Sequence, residues 1–297
     1  MTTIGITGMT GTTRNLEDRS GSMSSSARAS RSRSGVGNGA SRTGRRGLSG
    51  LLAAELIKLK RSSSWVIAVL LPLLAVVTGT INYTANSQAL PRGWESLTSQ
   101  VMLFYSMLFF SIGVALLASM AWRVEHQGTS WNAMRASGHS ATAVVAAKTL
   151  VVVVPVAAMQ MVLGLLTYLS GATIGGLGAA PPVGWLGSCA VAVLAALPLI
   201  AWQSLLSMLM RSFAAPVAAG FVGCVAGVGL LYSSSPVASA VPQGLIMRAL
   251  TLGTTAVSDA GDLALDDVLP ILAWAGAGAA VAWLALLAVA RRTGGVC

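Results

Sequence analysis

The chain has 297 residues, of which 54% are hydrophobic and only 9% charged, with a formal net charge of +10. Soluble domains carry about 25% charged residues, so a chain whose apolar residues cluster as these do is a multispanning membrane protein, not a soluble enzyme. Cys189 and Cys224 lie in apolar runs, and with Cys297 they offer no disulfide framework.

Residues 1–47 are rich in Ser, Gly, Thr and Arg, with stretches such as SRSRSGVGNGASRTGRR. They hold almost no aliphatic pattern and so cannot bury enough surface to fold. The expectation is a disordered basic tail with no specific nucleic-acid binding. Residues 48–63 change character: Leu48, Leu51, Leu52, Leu56 and Leu59 share one face of a helical wheel, with Lys60 and Arg61 away from it. Such a helix lies in the headgroup plane. Glu55 is out of place, because it falls inside the leucine face. Two readings stay open: it pairs with Lys58, one turn on, or it marks where the helix meets another protein instead of lipid.

Six apolar spans follow, at about 65–83, 101–122, 143–168, 185–210, 214–232 and 268–290. Each approaches the roughly 20 residues needed to cross hydrocarbon. Trp65, Trp94, Trp122, Trp185 and Tyr232 fall near proposed span ends, where amphipathic rings prefer the interface. With the N-terminus inside, Lys58, Lys60, Arg61, Arg123, Arg135, Lys148, Arg211, Arg291 and Arg292 are cytoplasmic, and only Arg92 and Arg248 are outside. The positive-inside rule therefore puts both termini, including a short tail at 293–297, in the cytoplasm.

Between the second and third spans lies WRVEHQGTSWNAMRASGHS, residues 122–140. Chain this polar is excluded from hydrocarbon. Thr129 and Ser130, after Gly128, suit the first turn of a short helix, on which Trp131 and Met134 share a face. An aromatic face held just outside a bilayer is a docking element. His126 and His139 stand thirteen apart, a spacing that matches no usual metal site. Further on, residues 243–253 read either as a short or re-entrant helix against the outer face or as a plain surface loop. Gly223 and Gly227 form a small-xxx-small pair in the fifth span, fitting either a dimer contact or packing within one chain.

Inside the spans Lys148 is the only charge, near enough to the cytoplasm to snorkel. Ion-coupled carriers place carboxylates or histidines at membrane depth, and none is present. The phosphate loop needs a Gly-rich turn followed by Lys, yet Lys58, Lys60 and Lys148 follow no such pattern. Metalloprotease and nucleophile-elbow motifs are also missing from the sequence. Energy for transport must come from a partner; a non-transporting assembly or scaffold protein is the alternative.

AELIKLKRS at 54–62, Trp65 and Leu71-Pro72 resemble the start of ABC-2-type exporter permeases, closest to the lantibiotic-immunity and bacitracin-type group. The segment from Glu125 through Gly128-Thr129-Ser130-Trp131, with Lys148 beyond, resembles the loop of the same family. The resemblance implies an all-α membrane permease domain over 48–292, with six transmembrane helices, an N-terminal interface helix and a cytoplasmic coupling helix between spans two and three. It implies that Glu55 and Lys58 on the first, and Glu125, Gly128, Thr129 and Trp131 on the second, meet an ATPase dimer, where Met134, on the face of Trp131, is expected to join them. ATP and Mg would bind there, with no cofactor on this chain. A second permease copy or sister chain completes the expected assembly, an antibiotic-resistance or immunity exporter in the cell's inner or plasma membrane.

Overall fold

In the computed structural model, residues 40–126, 140–178, 183–232, 236–255, 261 and 263–294 are described. Their regular elements are all helices. The leucine stripe lies on α1, Ala40–Lys60. This helix begins before Leu48, in a polar stretch that carries no periodicity to read. A turn at Arg61–Ser63 leads into α2, Ser64–Ala85.

The second expected span is longer than its apolar run. It starts with α3, Trp94–Phe104, passes through a π turn at Tyr105–Phe109, and continues as α4, Phe110–His126. Residues 94–100, expected in a loop, are helical. Ser96, Thr98 and Ser99 face protein, and Thr98 Oγ1 donates to the Trp94 carbonyl at 2.8 Å. Their polarity is thus satisfied internally and does not exclude them from the helix.

The third span is α5, Ala141–Thr173, whose 33 residues reach about 50 Å. Ser140 caps it, accepting from the Ala143 amide at 3.2 Å. The fourth span is broken into α6, Val183–Ala195, and α7, Leu197–Leu209, with Pro198 in the first turn of α7. Proline has no N–H to continue the ladder. The fifth is α8, Ala214–Tyr232. A short 3₁₀ turn at Pro236–Ser239 precedes α9, Pro242–Thr251, and the chain closes with α10, Leu265–Gly294.

Five of the expected spans are long and apolar enough to cross a membrane: Ser64–Ala85, Trp94–Val124, Thr142–Thr173, Gly184–Leu209 and Leu265–Arg292. The segment Ala214–Leu230 is apolar but shorter. All 19 residues of α8 reach about 28 Å, against a hydrocarbon core of about 30 Å.

The surface-loop reading of 243–253 fails for residues 242–251, which form α9. Leu245, Ile246, Ala249 and Leu250 are buried in the main core, with α9 packed against α6, α8 and α10. Trp122 and Trp185 do not line an interface either, since both are buried in protein. Trp65 is exposed.

Candidate functional site

Two apolar cores hold the bundle. The larger joins Val101, Tyr105, Phe110, Met159, Leu199 and their neighbours. The smaller gathers Trp122, Val145, Leu205, Met208, Leu286 and Ala290, from α4, α5, α7 and α10. It lies at the bundle end where α4 stops and α5 starts, and here the charges converge.

Glu55 on α1 is held twice. Its Oε1 accepts from Lys58 Nζ at 2.7 Å and its Oε2 from Lys148 Nζ at 3.1 Å. Glu55 therefore pairs along its own helix, as one reading had it, and also with a lysine of α5 that the sequence did not single out as its partner. The Glu55 side chain is 9% exposed and that of Lys148 1%. Lys148 does not snorkel. Its ammonium donates to the Ala121 carbonyl at 3.3 Å and stands 5.9 Å from the centre of the Trp122 ring, a cation–π distance. Burial raises the Glu55 pKa, but the ammonium groups of Lys148 and Lys58 and their hydrogen bonds outweigh it, leaving the carboxyl below its ordinary 4.5. One buried lysine thus ties α1 and α5 to the end of α4.

A mostly apolar cleft opens beside the pair, lined by Leu59, Ser64, Leu117, Met120, Val124 and Pro155 among others. It is open to the outside, and its solvent-sized space is only about 60 Å³.

The last turn of α4 is also fixed on its other side. His126 Nε2 donates to the Ser207 carbonyl at 2.6 Å, and Ser119 and Ser207 share a hydroxyl hydrogen bond of 3.2 Å. The Arg123 guanidinium lies 5.5 Å over the Phe213 ring, in the turn between α7 and α8. His126 is therefore a strut to the backbone of α7. Among the described residues no group of His, Cys, Asp and Glu forms a metal site.

Of the expected docking residues, Glu55 and Lys58 meet at this junction, and Glu125 lies on the last turn of α4. Gly128, Thr129, Trp131 and Met134, and with them the expected coupling helix, lie outside the described residues. The small-residue pair has a use inside the chain: a β-carbon at Gly223 would meet the Gln243 amide, and one at Gly227 would lie 3.0 Å from Gln243 Cβ and 3.1 Å from the Gly244 nitrogen. Lys148 is the residue that sequence reasoning left unpaired. The signal was present, because a lysine in an apolar run and a glutamate in a leucine face both fall on the side expected to be cytoplasmic.

A family model described as ABC-2 family transporter protein matches residues 51–227, well over half of the chain. No curated protein and no solved structure matches the chain.

Proposed function

This chain belongs to the ABC-2 transporter family, and we propose that it is the permease subunit of an ATP-driven exporter in the plasma membrane. Its cargo is a hydrophobic or amphipathic molecule, such as a peptide antibiotic, drug or lipid-like compound, as in the lantibiotic-immunity and bacitracin-type group. Two ATPase subunits bind ATP and Mg and grip the face that carries α1 and the loop at 127–139. The chain crosses the membrane six times, with α8 as the fifth and shortest span and both termini inside. A second copy or sister permease completes the pathway.

The observation that carries this reading is the Lys148 junction. An ATPase pushing on the loop moves the end of α4 and the start of α5. Because Lys148 joins both to Glu55, at 3.1 Å, α1 moves with them. Pulling α1 away would strand the Lys148 ammonium in a nearly dry site, at a cost of about 3–5 kcal/mol, so α1 follows the other two. The loop residues Trp131 and Met134 supply the apolar contact with the ATPase, and Glu55 with Lys58 sets the angle of α1 against it.

Isolation of the full chain from its native membranes in mild detergent tests the proposal. An ATP-hydrolysing polypeptide should accompany it, with hydrolysis faster in the complex than in the ATPase alone. A preparation lacking such a polypeptide, or one whose hydrolysis ignores the permease, overturns it.

A further inference from the structure

Two concave surfaces meet on the bundle end opposite α1. A cleft of about 640 Å³ is lined by Tyr83, Thr84, Ser87, Arg92, Ile174 and Gly175. An apolar groove of about 730 Å³ runs from it between α2 and α5, along Leu73, Val77, Ile81, Leu166 and Leu169. They share Thr84 and Ile174, so cleft and groove are continuous. Three helix termini surround the cleft: the end of α2, the end of α5 and the start of α3. Chain polar enough to turn there sits at the water boundary. Trp94 stacks on Tyr168 at 6.0 Å beside it, as interfacial aromatic residues do.

Arg92 stands at this mouth. The hydroxyl of the buried Tyr83 accepts from the Gly93 amide at 3.2 Å, fixing the loop. Gly176, at φ +57°, leaves room for the guanidinium, whose Nη2 lies 3.1 Å from where a β-carbon would stand. Neither surface is lined by a carboxylate among the described residues. A planar guanidinium with several donors suits a phosphate. The groove extends along α2 from Thr84 to Leu73, about 16 Å of helix, which matches one leaflet of a hydrocarbon core about 30 Å thick. Its floor is closed by a buried hydrogen bond of 2.6 Å between the Thr80 and Ser170 hydroxyls, so it presents no polar group that an acyl chain would leave unsatisfied.

From this juxtaposition we infer that the chain binds an acidic phospholipid of the leaflet facing away from α1, its phosphate on Arg92 and an acyl chain between α2 and α5. The site is independent of the transport reading, since it needs neither ATPase nor cargo.

The full chain in detergent, titrated with palmitoyl-oleoyl phosphatidylglycerol and followed by native mass spectrometry, tests it. Phosphatidylglycerol should bind more tightly than the matched phosphatidylcholine. Arg92→Gln, at an exposed residue that the fold does not use, should weaken phosphatidylglycerol about fivefold and phosphatidylcholine little, the usual effect of one basic residue at a membrane surface. Thr173→Trp, which fills the groove from an exposed position, should weaken both. Unchanged phosphatidylglycerol binding in Arg92→Gln overturns the inference. Glycerol phosphate binding as tightly as the lipid and ignoring Thr173→Trp would show an anion site without a chain groove, and also overturns it. So does a dimer that retains no lipid and dissociates in Thr173→Trp, which would make the groove an interface between copies.

Discussion

Lys148 of α5 and Glu55 of α1, 93 positions apart in the chain, close a buried ion pair of 3.1 Å at the end of the bundle where α4 stops and α5 starts. Two charges that look misplaced in apolar surroundings explain each other, and the element they stabilise is a joint between α1, α4 and α5.

Removal of one partner should be worse than removal of both. Glu55→Leu strands the Lys148 ammonium in a nearly dry site, a loss of about 3–5 kcal/mol. The double variant Glu55→Leu with Lys148→Met removes both charges and should recover most of that stability, since apolar replacements of buried pairs are often neutral. Thermal unfolding of the purified chain in detergent measures both. The double variant should fold yet stimulate its ATPase poorly, because α1 no longer follows α4 and α5.

The same pair gives a pH signature. The folded Glu55 carboxyl lies below its ordinary 4.5, so as pH falls the unfolded chain takes up the proton first. The pair's stabilisation is complete above the ordinary value and is lost as pH drops through the lower folded one. The melting temperature of the native chain should therefore fall more steeply below about pH 4.5 than that of the double variant. Parallel curves would show that the pair contributes no pH dependence.

Gly223 and Gly227 make room for Gln243. Gly223→Val should cost about 1–3 kcal/mol through overpacking. A β-carbon at Gly229 meets nothing within 4 Å, so Gly229→Ala should not lower the melting temperature. If Gly223→Val instead spared stability and dissociated a dimer, this face would belong to contacts between copies.

Trp131→Ala combined with Met134→Ala should leave membrane insertion intact and weaken ATPase binding. An apolar anchor of this kind contributes on the order of 2 kcal/mol, about thirtyfold in affinity. Titration of the ATPase onto the reconstituted permease, read by stimulated hydrolysis, checks it.

Long apolar runs made the main spans legible, because a helix crossing lipid must be apolar over its full length. Their limits were less legible. The start of α3 hides behind Glu95, Ser96, Thr98 and Ser99, since hydropathy cannot distinguish a serine in water from one like Ser99, whose hydroxyl meets Thr255 at 2.9 Å. The π turn at Tyr105–Phe109 has no residue signature. The oddness of Glu55 was visible in its wheel position, but its partner was not, because nothing local links positions 55 and 148. Only the tertiary fold, which sets the end of α1 beside the start of α5, brings them together.

The central claim is that this permease is moved by a nucleotide-hydrolysing partner and has no energy source of its own. The most direct test is cargo release from liposomes containing the purified chain, with and without its ATPase, under ATP or under a proton or sodium gradient. The account predicts movement only with both ATPase and ATP, abolished by Trp131→Ala with Met134→Ala. Movement by the chain alone, driven by an ion gradient, would contradict it.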